Sequence, residues 1–463
     1  MAEEQQDSSN EYEREPVPEK AWLGLKSYVG QFAGEHVAGT ELMIGPLFLA
    51  AGVSAFDFIV GLLVGNLLAV LSWTFFTAPI ATRVRLTLYY QLEKICGRKL
   101  VVAYNAANGV MFTVLAGAMM TVSATALGVY FKFPMPQLSD TLPSGFGWVA
   151  AVLVTGTLFS IVAAYGYRFI ARFANIAAPW MVIMFVAFGI VGMHKMGMNS
   201  VGDFWEVART KVWTGGAPQV GQVKFTFWHV MFFAWFCNMA WHIGMADLSL
   251  FRFARKPSYG LASAAGMYIG HFMAWIAAST LYAVQLKNDP SNTAVLPGPL
   301  AYNACGLAGL LCVVAAGWTT ANPTLYRAGL AFQSLIPNSS RFKVTLIVGL
   351  IASVTAVFPI VTMKLLGFVA LWGMILMPMG AVIFVDFWIL PKLGMKSNFA
   401  EVTGWTLNWA AATAWIASMA FCIGLVVKFG SDKIVFVCLP GWFLTVLVYI
   451  VLSKVMQRTA APA

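Results

Sequence analysis

The sequence predicts an all-α polytopic membrane protein with twelve transmembrane helices. Three observations carry that expectation. Hydrophobic residues make up 59% of the 463 and charged residues only 10%, more apolar surface than a soluble chain of this length can bury. Apolar runs long enough to cross a hydrocarbon core of about 30 Å recur along the whole chain. Two of those runs are broken by glycine, proline and ionisable residues at corresponding places in two halves, the sequence pointer to an inverted-repeat transporter.

The runs lie near 30–53, 55–78, 100–131, 147–166, 173–194, 226–250, 258–286, 298–322, 343–361, 364–390, 406–428 and 434–455. The seventh is interrupted by His271 and the tenth by Pro378. The eighth continues past Pro323 into a short amphipathic piece ending near Pro337. Residues 1–27 form an acidic, disordered tail, with seven acids and two bases among the first twenty. Residues 28–392 form the core of two five-helix repeats, and 393–463 two appended helices with a short C-tail. No cleavable signal peptide is expected, because the start is acidic and polar. The six cysteines (96, 237, 305, 312, 422, 438) are scattered, mostly inside apolar runs, and read as small buried hydrophobes.

Basic residues set the orientation. Seventeen fall in one set of loops and the C-tail, Arg85, Arg252, Arg327 and Arg341 among them, against nine on the other side. Both termini are therefore expected in the cytoplasm of a plasma-membrane protein, the inner membrane in a bacterium. The net charge of +10 is this asymmetry. It does not point to nucleic acid, since no basic patch with interleaved aromatics lies outside the membrane.

The first span reads Tyr28 to Pro46 with four glycines, a proline, Glu35, His36 and Glu41. Such side chains are costly in hydrocarbon unless they face a cavity or one another. The sixth span, Trp235 to Asp247, carries Asn238, Trp241 and His242. In the eighth, Thr319 and Thr320 stand beside Asn322-Pro323, and Pro323 disturbs the preceding turn. A hydroxyl pair next to freed carbonyls offers oxygens to a hard cation such as Na⁺. The plainer alternative is that each threonine bonds the carbonyl one turn back.

Several stretches resemble the nucleobase:cation symporters, and among them the cytosine-permease branch. Gly52–Leu68 resembles its first loop and second helix. Asp247–Arg255 resembles the acid-to-basic signature ending its sixth helix, with about two extra residues. Trp318–Phe332 resembles its eighth-helix signature, and Gly367–Asp386 its tenth helix. The resemblance implies a leucine-transporter-type fold of the amino acid–polyamine–organocation superfamily kind, five helices repeated inverted plus two more. It implies uptake of a small solute coupled to Na⁺ or H⁺, with no other cofactor. By position it implies cation ligands at Thr319, Thr320, the Ala316 carbonyl and the main chain around Glu35, Ala38 and Gly39. The substrate positions depart from the branch. Its third-helix glutamine and tryptophan correspond to Gly109 and Phe112, with Asn108 adjacent. Phe112 is expected to lie against a planar ligand, with Asn108, Asn238, Trp241 and His242 as contacts. Glu35 is expected to reach the ligand and Glu41 to be structural, paired to a neighbouring helix.

The expectation is thus a symporter for a small, planar, nitrogen-containing solute. An amino-acid or quaternary-amine symporter of the same fold is the alternative within transport. A membrane-embedded enzyme would need clustered catalytic groups, and the five histidines (36, 194, 229, 242, 271) are scattered along the chain and form no such spacing. A channel would need a filter motif, and none shows.

Overall fold

The computed structural model describes residues 11–136, 140–336, 338–360 and 365–459, and the regular structure among them is helical apart from two isolated β-bridges. In chain order the main helices are α1 (Leu25–His36), α2 (Glu41–Ala50), α3 (Ala55–Val84), α4 (Leu88–Cys96), α5 (Arg98–Phe131), α6 (Phe146–Ala164), α7 (Tyr167–Lys195) and α8 (Phe227–Phe236). They continue with α9 (Leu248–Phe251), α10 (Pro257–Asn288), α11 (Pro297–Leu335), α12 (Arg341–Ala356), α13 (Leu365–Phe384), α14 (Trp409–Phe429) and α15 (Ser431–Thr459). Among the described residues nine helices are long and apolar enough to cross a membrane by themselves. Two broken spans, α1 with α2 and α8 with α9, and the shorter α12 bring the crossings to twelve. Exposed Leu, Ile, Val and Phe along α3, α7, α12, α14 and α15 form the apolar outer surface that a bilayer would solvate. The protein is an integral membrane protein.

The two longest helices, α5 and α11, pack against each other along much of their length. Small residues allow it. A Cβ at Gly317 would stand 2.0 Å from Ser123 Oγ and 2.8 Å from Met119 O. The substitution of close backbone approach for side-chain bulk is typical where helices associate without a hydrophobic driving force.

Several expectations need correction. Helix α11 continues past Pro323, as the sequence indicates, but without the expected disturbance of the turn before it. It runs on to Leu335, and its non-helical residues are Cys305 and Gly306, where Gly306 takes φ +58. Glycine adopts that conformation without a Cβ penalty. Pro337 lies outside the described residues. Helix α13 likewise runs through Pro378. The interruption expected at His271 is present as a wide, π-helical stretch, Ala265–Phe272, inside α10.

Residues 11–27, counted with the disordered tail, are packed; 1–10 lie outside the described residues. Arg252 Nη2 and Nη1 donate to Glu11 O and Tyr12 O, both at 2.6 Å. Tyr326 Oη donates to the Glu11 carboxylate at 2.8 Å, and Arg341 pairs with Glu13 at 3.2 Å. Leu23 bridges Ala254. Burial raises the Glu11 carboxyl above its ordinary range, while Arg341 and Arg252 pull it down. The segment lies across one end of the bundle, touching the loop after α9, α11 and α12.

Candidate functional site

The site is built where the two broken spans face each other. Helix α1 ends at His36, and Val37–Thr40 run as a turn before α2 begins. Gly266 and Gly270 of α10 pack directly on that break: a Cβ at Gly270 would meet His36 O at 2.6 Å. Helix α8 ends at Phe236, and the chain passes through turns to Asp247, with Met245 at φ +63. Gly380 of α13 closes on that second break, 1.9 Å from Ile243 O to its would-be Cβ. Both unwound segments are thus wrapped in protein, as irregular backbone at membrane depth must be.

A buried ion triad ties three of these elements. Arg327 of α11 reaches Glu35 of α1 through Nη1 at 2.6 Å and Nη2 at 3.3 Å, and Asp247 ahead of α9 through Nη2 at 2.6 Å. Gln31 Nε2 donates to Glu35 at 3.2 Å, and Trp73 Nε1 to the second oxygen of Asp247 at 2.7 Å. All four carboxylate oxygens have partners. Arg327 is wholly buried. A guanidinium fork suits two carboxylates at once, whereas a lysine would present a single point charge.

Beside the triad lies a cavity of about 60 Å³. Glu35, His36, Thr40 and Glu41 line it from the first span, Asn238 and Trp241 from the sixth, His271 from α10, and Thr320 and Thr324 from α11. Leu115 and Met119 form the α5 wall. Glu41 is 4% exposed. Trp275 Nε1 donates to one of its oxygens. The other stands 3.8 Å from His271 Nε2. His271 stacks on Trp275 with centroids 4.4 Å apart and lies edge-on to His36 at 5.0 Å.

One wall of the cavity is an oxygen cluster between α1 and α11. Thr320 Oγ1 lies 3.0 Å from Glu35 O across the helices and 2.9 Å from Ala316 O within α11, its single proton shared between the two carbonyls. Thr319 Oγ1 lies 3.2 Å from the same Ala316 carbonyl. The back-bonding contact and the cross-helix contact therefore coexist. Two hydroxyls and two carbonyls converge there, neutral oxygens of the kind a hard monovalent cation takes. No group of three or more His, Cys, Asp or Glu side chains among the described residues could hold a metal ion.

The structure brings together some of the residues singled out by sequence and separates others. Thr319, Thr320, Ala316 and the Glu35 carbonyl meet; Ala38 and Gly39 lie in the adjoining turn. Asn238 and Trp241 line the cavity. Phe112 does not. It is fully buried one layer behind, edge-on to Trp372 at 4.5 Å and to Trp241 at 5.8 Å. Asn108 is buried away from the cavity, and a Cβ at Gly109 would meet the Phe332 ring at 2.7 Å. His242 is held by Trp235 O at 2.8 Å and the Ile243 amide at 2.8 Å, and serves the break itself. Glu35 lines the cavity and also carries the ion pair with Arg327, while Glu41 meets Trp275 and His271 of the neighbouring α10 and has no Lys or Arg partner among the described residues. Arg327, Arg252 and Arg341, counted as loop charges, are buried. Arg327, Asp247, His271 and Trp275 were missed as site residues. Arg327 gave one signal: an arginine seven residues after the threonine pair shares their helix face.

The two opposed breaks, the long α5–α11 pair and the two appended helices are those of the leucine-transporter-type fold. The chain is similar to Mhp1, a nucleobase-cation-symport-1 family transporter, in a closed conformation with bromovinylhydantoin bound: TM-score 0.71 at 16% identity, over 96% of this chain and 95% of that one. It is similar to a Na⁺-coupled sialic acid symporter in a substrate-bound outward-open state, with TM-score 0.65 and 15% identity over 95% and 90% of the two chains. A manganese transporter of Eremococcus coleocola matches at TM-score 0.55 and 14% identity, over 92% and 95%. At these identities the likeness is one of fold. No protein-family model and no curated protein sequence matches the chain.

Proposed function

We propose that this protein is a secondary active symporter that imports a small nitrogen-containing solute, driven by a cation gradient and working by alternating access. The observation that carries the reading is that Thr320 and Glu35 belong to both the oxygen cluster and the cavity. An ion held by Glu35 O, Ala316 O and the two threonine hydroxyls would fasten α1 to α11 and shape the cavity wall in one event. That is the coupling a symporter needs, because one ligand then raises the affinity for the other. Na⁺ fits neutral oxygens of this kind, and the neighbours' descriptions name Na⁺-coupled and cation-symport proteins. The reading is transport rather than catalysis. The two histidines that do meet, His36 and His271, belong to no metal-ligand set among the described residues.

Both termini are placed in the cytoplasm. With Arg85, Arg252, Arg327 and Arg341 set aside as buried, thirteen basic residues still face nine. The test is uptake into proteoliposomes. Accumulation that needs an inward Na⁺ gradient and vanishes with a Na⁺ ionophore is the expected result. Uptake indifferent to Na⁺, or unchanged when Thr319 and Thr320 are both replaced by alanine, would remove the ion assignment.

A further inference from the structure

We infer that the solute is a small organic cation carrying N–H donors, a protonated amine, amidine or guanidine, and that Glu41 is its counter-charge. The inference rests on the transport reading and names the substrate class of that same cavity.

Charge balance is the first argument. The triad sets two carboxylates against one guanidinium. Glu41 adds a third carboxylate, 4% exposed, with only His271 within ion-pair range. Around the cavity the acids exceed the fixed cations by two. A cation in the oxygen cluster compensates one. A buried carboxylate left uncompensated is strongly unfavourable and takes up a proton instead, so Glu41 is ionised only with a second cation beside it.

The hydrogen-bond inventory is the second argument. Glu35 is used up by Arg327 and Gln31. Glu41 Oε2 accepts from Trp275, but Oε1 stands 3.8 Å from His271 Nε2, beyond hydrogen-bond length. His36 Nδ1 is 2.9 Å from Phe32 O. A carbonyl only accepts, so Nδ1 carries the proton and Nε2 is left an acceptor. Asn238 Nδ2 points to His271 Nε2 at 3.4 Å, which leaves the amide oxygen as a further acceptor. It also puts the His271 proton on Nδ1, which is 3% exposed as a residue and has no partner among the described residues. The cavity lining therefore holds one carboxylate oxygen, an imidazole nitrogen and an amide oxygen as acceptors, and carries His271 Nδ1, Trp241 Nε1 and the Thr40 hydroxyl as donors. An anionic solute would face Glu41 directly. A neutral planar imide would leave Glu41 without a counter-charge. A cation with N–H groups matches both charge and donors, and Trp241 adds an aromatic wall favourable to it. The cavity of about 60 Å³ admits only a small one, at roughly 10–15 Å³ for each water-sized volume.

The experiment uses the purified full-length protein in Na⁺ and in Na⁺-free buffer. Thermal unfolding and tryptophan fluorescence are followed with acetamidine against acetamide, and with propylamine against propanol, each pair sharing shape and differing in charge. Tetramethylammonium supplies charge without N–H, and uracil and hydantoin supply neutral planar solutes. The expected result is Na⁺-enhanced binding of acetamidine or propylamine, at least tenfold over its neutral isostere and over tetramethylammonium. Glu41→Gln lowers that affinity at least tenfold and keeps the Na⁺ response. Equal binding of charged and neutral members by the wild type, or tighter binding of uracil or hydantoin that Glu41→Gln leaves unchanged, would overturn the inference. So would a neutral solute bound together with one proton whose uptake Glu41→Gln abolishes, since Glu41 would then carry the coupling proton. Loss of any Na⁺ response in the wild type sinks the transport reading instead. If Glu41→Gln fails to fold, Glu41→Asp keeps the charge, and the wild-type ranking of cation over isostere decides by itself.

Discussion

Glu35 and Glu41 stand six residues apart on one broken span, and their surroundings could hardly differ more. Glu35 closes the last turn of α1 and meets Arg327 through both oxygens. Glu41 opens α2, on the far side of the unwound turn, and meets an indole and a histidine instead. The break between them rotates the chain, so the faces they present do not follow a 100° helical step. One carboxylate is locked into the scaffold; the other is buried with half its hydrogen-bonding capacity unspent. Identical side chains become ion-paired or only partly hydrogen-bonded according to which helix crosses in front of them.

The sharpest way to break this comparison is Arg327→Met. It leaves Glu35 and Asp247 buried without a counter-charge, and the expected loss is about 3–5 kcal/mol, read as a large fall in melting temperature in detergent. A variant as stable as the wild type would show that the triad does not hold α1, α9 and α11 together. Phe112→Ala tests the layer behind the cavity. Its ring fills the space between Trp241 and Trp372, so the expected effect is about 3 kcal/mol of stability with solute selectivity retained. A stable Phe112→Ala protein that has lost its solute preference would put Phe112 back in the binding wall.

Trp275→Phe removes the donor that holds Glu41. The predicted change is about 1–3 kcal/mol, as weaker solute binding with the melting temperature little altered. Were the fold to suffer more than the binding, Glu41 would be the structural member of the pair. Thr320→Val takes away the hydroxyl that bridges Glu35 O and Ala316 O. The Na⁺ concentration needed for half-maximal solute binding should rise about tenfold, near 1.4 kcal/mol. An unchanged Na⁺ titration would place the cation elsewhere.

The sequence carried the class of the site better than its membership. Glycine and ionisable side chains in the first and sixth spans, with Pro46 in the first, marked both breaks, since unwound backbone needs residues that tolerate it. The threonine pair marked the oxygen cluster, because hydroxyls at that depth need partners. Pro323 misled in one respect: its missing donor suggested a disturbed turn, yet the helix runs regularly through it and the distortion falls at Cys305 and Gly306. Arg327 and Arg252 also misled. Their positions near span ends read as solvated charge, and only the arriving partners, Glu35 with Asp247 for one and the Glu11–Tyr12 backbone for the other, explain their burial.

What the sequence determined by itself follows from additive quantities. Total apolar content sets the bilayer as solvent, run length sets twelve crossings, and helix-breaking residues set where two of them unwind. What the tertiary structure decided follows from pairing across long sequence distances. Arg327 lies 292 residues from Glu35 and 80 from Asp247, and Trp275 lies 234 from Glu41. The cost of burying each carboxylate is legible in one residue; the group that relieves it comes from another helix, and only the packed bundle brings that helix there.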